Sequence, residues 1–319
     1  MIDYINYYFD LYPKNINKVD EKYEFYINSE KYSFVLYTRN FDEIDEIVKL
    51  NKEMILNGSL VHEIMINKFG KALNNYEGKV YVLLRIYINE NKKIDITDII
   101  EFLNEGKIIN QNSILLRTNW ASMWESKIDY FEYQMGHVLK KYRITYNIMD
   151  YYVGLSENAI LYLKSIVPKY QGKLVLGVSH KRIGVNSTLY DLYNPLEFII
   201  DFKVRDIAEY IKDTLLHTNN INMILDELFS KYYLDKLNLS LLISRILYPS
   251  YFFDMFDNIL INKLTENKML DLTKKSSSIE NFICEFIERY NLYPIEWLRC
   301  WQLLLFQVFQ MLKYIQSYL

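Results

Sequence analysis

The chain has 319 residues, half of them hydrophobic, with 37 basic against 40 acidic side chains and a formal net charge of −3. That length and apolar content can bury a large core in two domains or lobes, and the near-neutral balance, without a long basic run, gives no electrostatic case for nucleic acid as a partner. Cys284 and Cys300 make neither a disulfide framework nor a zinc site, and the N-terminus MIDYINYYFD lacks the basic region that opens a secretory signal, so a reducing compartment is expected.

In chain order, residues 23–27 and 31–37 are rich in β-formers and are joined at Asn28-Ser29-Glu30, which predicts a hairpin. Residues 42–56 place Ile44, Ile47, Val48, Leu50, Met54 and Ile55 at helical spacing and predict one amphipathic helix. Further strands are expected over 61–66 and 79–88, with turns near Gly70 and Gly78. The pattern then turns helical, over 94–103, 120–140 and 158–166, with Trp120 and Trp124 on one apolar face and Ser156 placed to cap a helix. Residues 174–178 and 196–200 are short apolar strand candidates that bracket a polar loop headed by His180. The second strand ends at Asp201, and helical spacing resumes over 206–212, where Arg205, Asp206 and Glu209 suit a salt-bridge network behind the hairpin. Four or five more helices should follow, broken by a loop at KKSSS, 274–278. A last amphipathic helix is expected after Pro294, with Trp297 and Trp301 on its apolar stripe and Arg299, Gln302 and Lys313 on the other side, which argues against a transmembrane segment.

His180 at the head of a loop, with Ile200-Asp201-Phe202 closing the next strand, resembles the catalytic hairpin of the aminoglycoside and choline phosphotransferase superfamily. That resemblance implies a magnesium-holding Asp at Asp201, an Asp two residues after the His as proton acceptor, and an Asn a few residues on. This chain departs there: Lys181 and Arg182 stand where Gly and Asp belong, and Ser187 stands where the Asn belongs, with Asn186 one place early. A guanidinium cannot accept a proton. Asp191 is the fallback acceptor. In the N-terminal region no glycine precedes Gly58, so the phosphate-covering glycine loop is missing. Tyr37 aligns with the strand lysine, Arg39 is the nearest cation, and Glu53 on the following helix is its expected partner as a cofactor-binding pair.

The segment holding Trp120, Trp124 and Asp150-Tyr151-Tyr152-Val153-Gly154-Leu155-Ser156-Glu157, with Arg205-Asp206-Ile207-Ala208-Glu209-Tyr210, resembles spore-coat-associated kinase-like proteins of the CotS and YutH type. What this implies is an α+β, two-lobed protein-kinase-like fold: a small α/β N-lobe over 1–88 and a mainly helical C-lobe over 89–319 carrying the hairpin segment 174–212. It also implies synthesis in the mother cell, residence in the spore coat and other spore coat proteins as partners. The degenerate loop makes a pseudokinase with a structural or assembly role the expected function, with no cofactor. An active small-molecule phosphotransferase using Mg-ATP is the alternative, and a helical interaction module without nucleotide binding is the second. Scattered His62, His137, His180 and His217, with no HExxH, exclude a zinc hydrolase pattern.

Overall fold

The computed structural model describes residues 1–88, 92–105, 112–138, 141–169, 174–217 and 221–295. In chain order its elements are α1 (Ile2–Phe9), β1 (Ile16–Val19), β2 (Lys22–Ile27), β3 (Glu30–Leu36), α2 (Ile44–Leu56), β4 (Glu63–Met65), β5 (Asn74–Tyr76) and β6 (Lys79–Ile86). There follow α3 (Ile96–Glu105), α4 (Trp120–Val138), α5 (Arg143–Ile166), β7 (Leu176–His180), α6 (Leu189–Leu192), β8 (Phe198–Phe202) and α7 (Val204–His217). The last four are α8 (Ile221–Lys231), α9 (Lys236–Leu247), α10 (Ser250–Leu260) and α11 (Met269–Arg289). The chain forms two compact units, one made of 1–118, 175–213 and 222–233, the other of 119–174, 214–221 and 234–319.

The first unit is built on an antiparallel sheet in the order β1-β2-β3-β6-β4, with β5 also paired to β6. The turn between β2 and β3 is the expected one: Ile27 pairs with Glu30, and Asn28 and Ser29 both take positive φ, 48° and 71°, as a two-residue primed turn requires. Alternation sends Phe25, Tyr32, Phe34, Tyr81 and Leu83 to one face, where Ile5 of α1 completes a buried cluster. Lys22, Glu24, Lys31 and Ser33 take the opposite parity. Helix α2 buries Ile47, Leu50 and Met54, and its Asn51 side chain clamps the chain entering β4, donating to His62 O (2.7 Å) and accepting from Ile64 N (2.9 Å).

The second strand pair of this unit is the hairpin of β7 and β8, in which Gly177 faces Asp201 and His180 faces Phe198. All of β8 is buried. Its free edge is taken by the segment before α4: Ile200 N donates to Leu115 O (3.0 Å) and Arg117 N to Ile200 O (2.8 Å).

The second unit is helical. Trp120 and Trp124 are core, as expected: their rings stack at 5.7 Å, and Trp124 lies 4.5 Å from Tyr248 of the chain leaving α9. Two local expectations fail here. Ser156 does not cap a helix but lies buried in the middle of α5, its hydroxyl donating back to Tyr152 O (2.7 Å). The KKSSS stretch is not a loop but part of α11, because Ser276 is buried, bonds Leu272 O (3.3 Å) and meets the Tyr152 hydroxyl (3.2 Å). Packing overrides the weak helix propensity of serine. The helix expected after Pro294 lies outside the described residues. Among the described residues no helix is long and apolar enough to cross a membrane.

Candidate functional site

Asp201 is the last residue but one of the buried strand β8 and is itself fully buried. One carboxylate oxygen accepts from Phe202 N (2.8 Å), and the other accepts from Arg205 Nη1 (2.7 Å). Arg205 stands four residues on, in the first turn of α7, so helical geometry folds its guanidinium back over the strand end. Its Nε donates to His180 O (3.0 Å) and Nη2 to Lys181 O (3.3 Å), tying strand, loop and helix into one knot. Magnesium asks for near-octahedral oxygen ligation. The donor set here does not fit it: Asp201 is spent on a guanidinium, and no group of three or more His, Cys, Asp or Glu gathers among the described residues.

His180 is equally constrained. Its Nδ1 meets Asp206 Oδ2 at 2.7 Å, its Nε2 meets Leu192 O at 2.8 Å, and its backbone N–H donates to Asp206 Oδ1 at 3.0 Å. A carbonyl can only accept, and so can a carboxylate, so both ring nitrogens donate and the ring is an imidazolium. Burial alone would lower its pKa; the Asp206 charge and hydrogen bond outweigh that and raise it. Of the network expected around Arg205, Asp206 and Glu209, the first two take part and clamp the hairpin, while Glu209 pairs with Lys212 at 3.0 Å.

The loop from 181 to 197 folds back on its own unit. Arg182, at the acceptor position, is exposed. Ser187 accepts from Gly184 N through its hydroxyl (3.1 Å), while Asn186 accepts from Lys93 Nζ (2.7 Å). Asp191, the fallback acceptor, is exposed and sits third in α6, where its Oδ2 accepts from both Thr188 N and Thr188 Oγ1 at 2.8 Å in a capping box. Thr188→Ala should cost about 1 kcal/mol, read as a lower thermal midpoint and faster hydrogen exchange across 187–193.

This loop lays Tyr190 against the sheet face that carries Lys22 and bonds to the chain after β6. The Ile94 N–H donates to Ser187 O and the Leu189 N–H to Lys92 O, both at 3.0 Å, so the chain after β6 has its backbone paired by the loop. Tyr190 lies with its ring 4.8 Å from His62 and 5.1 Å beneath the Lys22 ammonium. His62 is buried, donates from Nε2 to Tyr190 O (3.2 Å) and from its backbone N–H to Tyr193 O (2.9 Å), and burial pushes its pKa down to about 4. The turn between β1 and β2 holds Asp20 and Glu21, two acids where a phosphate cradle would need bare N–H groups.

Arg39 and Glu53 are not brought together. Glu53 is exposed on α2, whereas Arg39 is buried and pairs with Glu43 (Nε to Oε2, 2.7 Å). Its Nη1 donates to Leu196 O (2.9 Å) and Phe198 O (2.7 Å), so it braces the start of β8. Tyr37 donates its hydroxyl to Asn40 O (2.9 Å) and is pushed by burial up to about 12. Sequence reasoning missed Glu43, His62 and Tyr190. Glu43 alone carried a signal, its four-residue spacing from Arg39.

The fold has solved relatives. An aminoglycoside phosphotransferase from Alicyclobacillus acidocaldarius superposes with a TM-score of 0.67 at 8% identity, over 91% of this chain and 96% of that one. Spectinomycin phosphotransferase APH(9)-Ia, in complex with ADP and spectinomycin, superposes with a TM-score of 0.53 at 12% identity, over 86% and 92%. The fold is thus α+β and protein-kinase-like, as the hairpin residues implied. In sequence, the endospore coat-associated protein YutH of Bacillus subtilis (strain 168) is 25% identical over 226 residues, 65% of this chain and 66% of that protein, just under two thirds of its length. The family described as "Spore coat putative kinase YutH" matches residues 2–286, nearly the whole of the described chain, and the protein belongs to that family.

Proposed function

We propose that this protein is a pseudokinase of the spore coat: a kinase fold that serves coat structure or assembly through its surfaces and transfers no phosphate. The observation that carries this reading is the Asp201–Arg205 pair, because the carboxylate that would hold a metal is buried against a guanidinium at 2.7 Å. An exposed Arg182 at the acceptor position and a loop bonded along the chain after β6 support the same reading. Its partners would be other coat proteins, after synthesis in the mother cell. The active-phosphotransferase alternative needs Asp191 as acceptor, and that carboxylate is engaged in the α6 cap.

Purified protein incubated with labelled ATP, magnesium and a panel of amino-alcohols and aminoglycosides should give no labelled product. Turnover approaching about 1 per second, ordinary for kinases, and abolished by Asp201→Ala, would establish an enzyme instead. Localisation of a fluorescent fusion to the forespore surface, lost or kept in a strain carrying Asp201→Asn, separates a coat role from catalysis.

A further inference from the structure

Arg39 has a donor left over. Its side chain is 3% exposed, its Nε and Nη1 are spent on Glu43, Leu196 and Phe198, and its buried Nη2 has no hydrogen-bond partner among the described residues. A buried, charge-bearing N–H without an acceptor is costly, which makes it a marker for a missing ligand. The neighbouring carboxylate cannot serve it. Glu43 gives its second oxygen to Arg117 Nη2 at 2.5 Å, so one acid already answers two arginines. A third cation, Lys181, follows His180 in the chain, is half-buried, and makes no hydrogen bond through its ammonium among the described residues.

The groups facing one another are therefore Arg39, Arg117 and Lys181 against Glu43 and Glu197, three cations to two acids. The Lys181 pKa is lowered, first by burial and then by the Arg39 charge, which together outweigh the opposing pull of Glu43 and Glu197. Lys181 keeps its position through its backbone, whose N–H donates to Glu197 O at 2.9 Å.

We infer that Arg39, Lys181 and Arg117 form a binding site for a tetrahedral oxyanion of the phosphate type, at the start of β8 and apart from the sheet face covered by Tyr190. Guanidinium groups match phosphate oxygens through paired N–H donors, and an ammonium adds a point charge. The oxyanion comes as inorganic phosphate or as a phosphoryl group on a serine side chain, and the site reads the shared dianion.

Isothermal titration and phosphorus NMR with inorganic phosphate, and separately with O-phosphoserine, test it at fixed ionic strength, with acetate as the control anion. Saturable binding with a Kd of order 1 mM is expected. Lys181→Gln should weaken it by at least about tenfold, as should Arg117→Gln, while far-ultraviolet circular dichroism shows both variants folded. O-phosphoserine binding more tightly than phosphate identifies a phosphorylated segment as the source, and equal or weaker binding identifies the free ion. No saturation by about 20 mM phosphate, acetate binding equally well, or affinity unchanged in both variants overturns the site. Arg39 itself is left intact in these tests because it also braces β8.

Discussion

Asp206→Ala should destabilise the protein by about 3–5 kcal/mol, the usual cost of leaving half of a buried ion pair behind. The change strips the His180 imidazolium of its counter-ion and also removes the acceptor of the His180 backbone N–H. At about 2 °C per kcal/mol for a chain this long, the thermal midpoint should fall by about 6–10 °C. The pH dependence has a fixed sign. Because the folded-state pKa of His180 lies above the ordinary 6.5, its contribution is fully present below that value and is lost as pH rises through the folded-state pKa. Wild type should therefore lose stability relative to Asp206→Ala as pH is raised through that window. A difference between the two that is flat with pH, or that grows with rising pH, would show that the ring is neutral.

Arg205→Met should be of similar severity, about 3–5 kcal/mol, since it leaves Asp201 fully buried without its guanidinium and two carbonyls, His180 O and Lys181 O, without their donor. The double variant Arg205→Met, Asp201→Asn should recover part of the loss, because an amide is far cheaper to bury than a carboxylate. Thermal midpoints of the wild type, both single variants and the double variant form a cycle, and a coupling energy near zero would refute the pairing. The single variant also bears on the proposed pseudokinase. If Arg205 is what withholds Asp201 from metal, removing it still leaves Arg182 exposed at the acceptor position, so no phosphoryl transfer should appear.

Much of the fold was legible because it is written locally. The β-rich run Tyr23 to Ile27 marked β2, Asn28-Ser29 marked its turn, and the apolar run Leu196 to Ile200 closed by Asp201 marked a buried strand, which the structure places at Phe198–Phe202. The knot at Asp201 was also within reach, since Arg205 is one helical turn away and Asp206 follows it. Even the misplaced Glu53 could have been avoided. Ile47, Leu50 and Met54 define the buried stripe of α2, and Glu53 falls outside it, while Glu43 sits four residues from Arg39.

What the sequence by itself determined is the set of short-range matches: strand periods, one primed turn, helical i to i+4 pairs, and a hairpin whose acceptor position carries arginine. Only the tertiary structure decided the course of the loop from 181 to 197, because its backbone partners lie at 92–94 and at His62 and Arg39, 93 or more residues away in the chain for the side-chain contacts of Asn186 and Leu196. It also decided that Ser276 and Ser156 are helical, through burial against Tyr152 and within α5. Hydrogen bonds between backbone groups carry no side-chain signature, and a serine is assigned to helix or loop by what packs on it, so neither could be read before the chain was folded.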